Sequence, residues 1–547
     1  MKSTLQLFTA KSGFQSARIL MADNSLRHLH STVKPEAEAE FYTSLSFWGD
    51  VIVFAGIGLG YHINKKIFEI PSSSQIIVIE YYETLVTICM KTIFKDFSND
   101  IVPITFKNSE DILTKIKKRE SLLKNSTIQI IKHPASYYGN KSFYDGTIAS
   151  LFSLVSKKRP NKKDYKKVLL LYGNFFLQEE IKRAIQEVTG QSVVLFHYER
   201  YYSGIEYESH LLRIIWSEKP DFVFTVNMKG IDGNGILSNT LLIMNIPLIV
   251  WFVDDPHPIL LHQKSFINSL MIAFSWEKKY IYFLNKCGFH AVEYLPLATD
   301  KTLFSGDPLS TTKTQLGFVG SSMGHTFLEN IRSKFLWNNK LSPVINRVSD
   351  IIVQMRNVSV LDTLYETASA MNIHLPFKDT RNLTWLCSYC IHCASMKKRK
   401  KIIGSLLPFN IELFGDPEGW NKMFPFNIKT NPDIDYSNQL CNLYRTIKIN
   451  INITSCQMPS AVNQRVFDIP MSGSFVITDN QNDLNELFSI GDEIVQYSCC
   501  DELHELISFY LNNDSARKNC IIAAQNRIRG EHLYKHRIQT VFQKILC

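Results

Sequence analysis

The stretch that most constrains this chain runs from Asn450 to Asn480. Asn450-Ile-Asn452-Ile alternates polar and apolar residues, as a strand does. A polar loop through Ser455, Ser460 and Asn463 follows. Then come a helical-period run, Arg465-Val-Phe467-Asp468-Ile, a break at Gly473, and an apolar run ending in Thr478-Asp479. Strand, loop, helix and strand in that order make a βαβ unit. Its loop and helix N-terminus are expected to offer free N–H groups to a phosphate, and Arg465 adds a fixed positive charge whose fork suits a diphosphate. Asp468, almost one turn on, shares a face with Arg465 and is expected to accept hydrogen bonds from a pair of sugar hydroxyls. The competing reading is an ordinary surface ion pair between the two, which is worth little.

A chain of 547 residues is too long for one ordinary core, so about two to four domains are expected. Sixty Lys and Arg against 51 Asp and Glu give a net charge of +9, which suits an anionic substrate or simple surface charge. Nucleic acid is disfavoured, because no basic stripe carries interleaved aromatics. The start lacks a long apolar segment, and no apolar run reaches the roughly 18 residues of a membrane span. With eleven cysteines in no regular framework, this points to reduced thiols and a cytoplasmic location.

Near the N-terminus, Asp50-Val-Ile-Val-Phe-Ala55 reads as a buried strand and Gly56-Ile-Gly58-Leu-Gly60-Tyr-His62 as a glycine-rich turn into a helix. Gln75-Ile-Ile-Val-Ile79 reads as a second strand with Glu80 at its end. Glycines that admit a ligand, and an acid about 20 residues on for ribose hydroxyls, are how a doubly wound sheet takes a nucleoside. This region resembles S-adenosylmethionine methyltransferases. It resembles more closely the methyltransferase-like part of motility accessory factors, which share Gly-x-Gly-x-Gly-Tyr-His and a short His-Pro segment, here Lys132-His133-Pro134. Gly56, Gly58, Gly60 and Glu80 are thus candidate nucleoside contacts, with S-adenosylmethionine a possible ligand. The alternative is a turn kept for structure.

The basic, Pro-containing run from Ser156 to Lys167 marks a boundary. Strands at Val168–Tyr172, Ser192–Phe196, Asp221–Val226 and Pro247–Val253 then alternate with helices, giving a second parallel sheet. The last of these strands ends in Asp254-Asp255-Pro-His257. A carboxylate or imidazole at such a strand end is placed to deprotonate an acceptor hydroxyl. Plain turn capping before Pro256 is the alternative. Leu316-Gly317-Phe-Val-Gly320-Ser321 restarts the pattern, with backbone N–H groups at Gly320 and Ser321 as candidate phosphate contacts. Leu328 to Thr380 reads as helical. Cys387-Ser-Tyr-Cys390-Ile-His392-Cys393 invites a zinc reading, but no second ligand pair follows at finger spacing, so no metal is expected. The Lys397-Lys-Arg-Lys-Lys401 run reads as a solvated helix end.

The run Arg465-Val-Phe-Asp-Ile-Pro-x-x-Gly-x-Phe-Val-Ile-Thr-Asp479 resembles the donor-site signature of CgeB-type glycosyltransferases. So do Trp251-Phe-x-Asp254-x-Pro, Leu295-Pro-Leu-Ala-x-Asp300, Phe318-Val-Gly320, Gly415-Asp416 with its following Trp420, Leu440 to Tyr444, Glu493 to Tyr497, and His532-Leu-Tyr534-x-x-Arg537. The resemblance covers roughly 167–547. It implies an α/β chain of three Rossmann-like, doubly wound parallel-sheet domains at 1–155, 164–305 and 312–547, the last two forming a GT-B glycosyltransferase. A nucleotide-sugar donor is implied, held by Gly320, Ser321, Asn463, Arg465, Asp468, Gly473 and Asp479, with Asp254, Asp255 or His257 assisting a glycan or protein acceptor of a bacterial cell surface or spore. No cofactor is required. Retaining relatives carry two glutamates eight positions apart; Ser460 and Asp468 stand there, so a retaining mechanism does not carry over. The rival functions are a methyltransferase acting through the N-terminal domain and a non-catalytic assembly protein.

Overall fold

The computed structural model describes residues 4–21, 23–97, 99–106, 126–155, 166–201, 204–308, 312–323, 328, 341–355, 358–375, 380–425 and 428–546. Most of the basic run expected to mark a boundary, 156–165, lies outside them. Contacts divide the chain into two compact units. The first comprises 1–175, 192–225 and 229–248; the second comprises 176–191, 226–228 and 249–547.

The first unit opens with a feature the sequence reading did not anticipate, a three-stranded antiparallel sheet of Thr4–Thr9, Gln15–Leu20 and Leu26–His28. A four-stranded sheet follows, ordered Ile101–Thr105, Gln75–Glu80, Val51–Ala55, Ile128–Lys132, with every pairing parallel. Val51–Ala55 is apolar throughout because both its faces are covered. Val51, Val53 and Ala55 pack with Tyr144, Ile148 and Leu151 of the helix Lys141–Val155. Ile52 and Phe54 pack on the other side with Val86 and Cys89 of the helix Glu83–Thr92. The unit also holds Val168–Tyr172, parallel both to Val194–His197 and to the strand beginning at Phe222.

In the second unit, Met271–Ser275 pairs in parallel with Ala291–Tyr294. Its main sheet has six parallel strands, ordered Lys429–Asn431, Glu412–Phe414, Thr314–Val319, Ile447–Asn452, Val476–Asp479, Val495–Tyr497. Leu316, Phe318, Ile449, Ile451 and Ile477 form one core with Ile403, Trp420 and Leu503. Burying each such aliphatic side chain contributes about 1.5–3 kcal/mol. Between the first two strands in sequence lie the helices Ser342–Gln354, Val360–Ala370 and Thr380–Ser405, which have a core of their own. Cys390 and Cys393 are buried there and Cys387 packs against them; burial pushes the Cys387 thiol up to about 12 and the Cys393 thiol up to about 11. These thiols are core side chains of a helix rather than thiolate ligands. Among the described residues, no helix is long and apolar enough to cross a membrane.

Candidate active site

Crossover connections leave the loops that follow parallel strands along one edge of the sheet, where ligands of such sheets bind. The second unit has a cleft of about 500 Å³ at that edge. It is lined by the ends of Thr314–Val319 and Glu412–Phe414, by the loop Gln457–Gln464, by Arg465 and Asp468, and by Asp254, Asp433 and Tyr436. Of the residues expected to serve the donor or the chemistry, Gly320, Ser321, Asn463, Arg465, Asp468 and Asp254 all line this cleft.

Arg465 is the first residue of the helix Arg465–Met471. The Asn463 side-chain oxygen accepts from the Arg465 N–H at 3.2 Å, while the Asn463 amide donates to Asn452 Oδ1 at 3.0 Å, fixing the loop to the neighbouring strand. The following N–H groups of Val466, Phe467 and Asp468 donate to the carbonyls of Asn463 and Gln464. The expectation of free amides in this first turn is therefore corrected, because the turn closes on itself. Gly320 is corrected likewise: its N–H donates to the Phe414 carbonyl, and its own carbonyl accepts from Trp420 Nε1 at 3.0 Å. What Gly320 provides is room, since a Cβ there would lie 3.0 Å from the Arg465 guanidinium.

A cation the sequence reading missed lies behind Ser321. Arg399 lies in the run read as a solvated helix end, yet it and Lys398 are buried. Arg399 donates to the Ser321 carbonyl, and its Nε, also buried, has no hydrogen-bond partner among the described residues. Burial, followed by the Arg465 charge, brings the Arg399 guanidinium down to about 9. Among the described residues no carboxylate lies within ion-pair distance of either arginine. The two charges repel one another, while Asp479 and Asp416 offset that of Arg399 from beyond ion-pair distance. Arg465, which lines the cleft, gives it a positive charge suited to an anionic ligand.

Asp468 does not form a surface ion pair with Arg465. It is 1% exposed, and Oδ1 has no hydrogen-bond partner among the described residues. Burial holds its carboxyl well above the usual carboxylate range; the charges of Glu180 and Asp300 reinforce the shift, and Thr299 and Arg465 oppose it. The acid thus stands in the wall of the cleft with one buried oxygen unpartnered among the described residues. Its raised pKa costs stability above about pH 4, where the unfolded carboxyl is ionised, and the cost disappears at lower pH. Asp468→Asn is accordingly expected to raise Tm by about 2–4 °C at pH 7, with the gain gone at pH 3.5 by thermal unfolding.

Four of the expected residues stand elsewhere. Asp255 caps the helix Pro256–Gln263, accepting from the His257 N–H at 2.9 Å and contacting His257 Nδ1 at 2.7 Å, and His257 stacks on Phe283; neither lines the cleft. Asp254 does line it, and is oriented by the Asn227 side-chain amide, which donates to Oδ2 at 2.7 Å. Gly473 makes a tight turn at φ +83°, where a Cβ would lie 2.6 Å from the Asp307 carbonyl oxygen. Asp479 is 1% exposed and ties a loop down, accepting from Lys398 Nζ at 2.6 Å and from the Thr454 N–H at 2.8 Å. Ser460, standing where retaining relatives have a glutamate, is itself held by one. The buried Glu277 accepts from its N–H at 2.8 Å and its hydroxyl at 2.6 Å.

The N-terminal glycine turn is filled by the protein's own groups. Glu80 Oε2 accepts from the N–H groups of Ile57 at 2.8 Å and Gly58 at 3.1 Å, and Oε1 accepts from the Tyr144 hydroxyl at 3.1 Å. Both oxygens of the acid expected to meet a ribose are thereby engaged within the fold. A Cβ on Gly56 would lie 2.6 Å from Ser136, on Gly58 2.4 Å from His30, and on Gly60 2.6 Å from Ile93. His30, Glu38 and His133 stand close enough to ligate a metal. However, His30 Nε2 accepts the Leu59 N–H at 2.8 Å, so its proton sits on Nδ1, which donates to Glu38. That is the protonation of a hydrogen-bond network, not of a ligand set. Burial would push Glu38 up, but hydrogen bonds from His133 and His30 outweigh it and bring the carboxyl down to about 2.

His62 stacks on His133 with both ring nitrogens buried and unpartnered among the described residues. Burial, with His133 reinforcing, holds it well below the usual imidazole range. The folded state then keeps His62 neutral while the unfolded chain takes up a proton below about pH 6.5, so this contribution is present above that pH and lost as pH falls. His62→Phe is expected to reduce the loss of stability between pH 7 and pH 5, as read by denaturant unfolding across that range.

Residues 393–543, which include Arg399, Arg465 and Asp468, match a known family model. That family is described as glycosyl transferase-like. No curated protein sequence matches the chain. Among solved structures, the chain is similar to a glycosyltransferase from Rickettsia africae ESF-5, with 11% identity and a TM-score of 0.40, covering 70% of this chain and 99% of that one. It is similar to Anabaena HepE in complex with UDP and glucose, with 9% identity and a TM-score of 0.40 over 70% and 99%. It is also similar to the T4 phage enzyme BGT in complex with UDP-glucose, with 12% identity and a TM-score of 0.38 over 70% and 99%.

Proposed function

We propose that the chain is a cytoplasmic, bacterial glycosyltransferase of GT-B architecture and CgeB type, transferring a sugar from a nucleotide-sugar donor to a hydroxyl of a cell-surface, spore or protein glycan. The observation that carries this reading is Arg465, which lines the cleft of a segment that matches a glycosyl transferase-like family, with the buried Arg399 behind it on Ser321 and no carboxylate in ion-pair contact with either among the described residues. The domain boundaries 1–155, 164–305 and 312–547 belong to the same proposal.

In this reading the two arginines hold the diphosphate, and their charge stabilises the leaving nucleoside diphosphate as the bond to the anomeric carbon breaks. Asp468 and Tyr436 meet hydroxyls of the donor. Asp254, held by Asn227, takes the proton of the acceptor hydroxyl as its oxygen bonds to the anomeric carbon. The N-terminal sheet acts as a structural domain, since its glycine turn is already occupied by His30, Ser136 and Glu80. Thermal-shift panels of nucleoside diphosphates, nucleotide sugars and S-adenosylmethionine test the proposal. Stabilisation by one nucleoside diphosphate and its sugar ester is expected. A response to S-adenosylmethionine alone would favour a methyltransferase, and a flat panel would favour an assembly protein.

A further inference from the structure

The second unit carries another cavity, of about 330 Å³, at the opposite edge of its six-stranded sheet. It sits at the amino ends of Ile447–Asn452 and Val476–Asp479, and Ile447 and Phe475 form part of its wall. Its charge is lopsided: Arg445, Lys448, Arg517 and Lys518 line it against a single acid, Asp514. Asp514 pairs with Lys448 at 3.4 Å and with Arg517, whose guanidinium also donates to the Tyr510 carbonyl. Among the described residues neither Arg445 nor Lys518 has a carboxylate within ion-pair distance.

Two lining residues also carry a buried polar atom without a partner among the described residues, Arg445 Nε and Ser474 Oγ, both behind the cavity wall. Such groups are costly unless something satisfies them. Gly306 leaves space for the arginine, since a Cβ there would lie 2.9 Å from Arg445 Nε. Cationic side chains in such excess over a single acid, two of them without an ion pair, are what a phosphate neutralises.

We propose that this cavity binds a small, soluble, phosphate-bearing molecule at a site separate from the cleft. Its walls also join it to the cleft. Arg445 follows Tyr444 on the helix Leu440–Thr446, and Tyr444 lines the cleft. Ser474 lies just beyond the helix that carries Arg465 and Asp468. Occupancy of the cavity is therefore placed to alter donor affinity through these two short helices.

Inorganic pyrophosphate is the probe, titrated by calorimetry into the full chain carrying Arg465→Ala, which removes one of the cleft's own anion contacts. Saturable binding is expected to persist in that variant and to weaken at least tenfold when Lys518→Gln or Arg445→Gln is added. Lys518 is exposed, so its variant should fold with unchanged Tm. Loss of all binding in Arg465→Ala alone would overturn the proposal, because the probe would then occupy only the cleft. Binding that sodium sulfate at equal ionic strength reproduces would overturn it as unspecific charge screening. Co-sedimentation with phosphatidylglycerol vesicles, without pyrophosphate binding, would overturn it in favour of a lipid surface.

Discussion

Arg465→Ala is expected to lower kcat/KM for the nucleotide sugar by about 10²–10³-fold, the cost of removing one partner from a desolvated, hydrogen-bonded charge pair. The effect should be this large because, among the described residues, the guanidinium has no carboxylate within ion-pair distance. Gly320 gives it space rather than a backbone hydrogen bond, and the amides of the helix's first turn are engaged internally. The positive charge expected to meet the diphosphate is that of Arg465, with the buried Arg399 behind Ser321 adding to the local potential. Arg465→Lys should recover only part of the loss, since a point charge does not reproduce the two-pronged fork. Steady-state kinetics with saturating acceptor, alongside unchanged thermal unfolding of the unliganded variants, separate this from a folding defect.

The second large effect is expected at Asp254. Asp254→Asn should reduce kcat by about 10²–10⁴-fold with little change in donor affinity, the range for removal of a general base. The amide is nearly isosteric, so the contact with the Asn227 side chain still orients the group, while proton acceptance is lost. The readout is a split: kcat falls, and the Kd for the nucleoside diphosphate stays within about twofold of wild type. Asp255→Asn should lack this signature, because Asp255 caps the helix Pro256–Gln263 and contacts His257 instead of the cleft.

Much of this site could be read from local pattern. The strands of the main sheet are apolar runs closed by turn residues, and Gly320, Asn463, Arg465, Asp468 and Asp254 all sit just beyond strand ends or at a helix start, where parallel sheets place ligand groups. Pattern alone could not say which strand-end acids face the cleft. Asp254 and Asp255 are adjacent and chemically identical, yet one lines the cleft and the other caps a helix. Asp479 sits at a strand end too, but a buried lysine turns it into a tie. That lysine and Arg399 were hidden in a five-residue basic run that looks solvated. Helical spacing held the missing signal: Ile391, Ser395, Lys398 and Ile402 recur at three- and four-residue intervals and are all buried on one side of the helix. The N-terminal turn shows the opposite limit. Its glycines and Glu80 follow a nucleoside-binding pattern, but His30, arriving from the unanticipated antiparallel sheet region, fills the space that the pattern leaves open.

The most direct test of a nucleotide-sugar site in the second unit is calorimetric titration of nucleoside diphosphates into the full chain, its Arg465→Ala variant and its Arg399→Gln variant. One nucleoside diphosphate is expected to bind at a single cleft site, with affinity reduced at least tenfold by either substitution. Unchanged affinity in both variants would contradict it, because the anion would then be held by something other than these two guanidiniums.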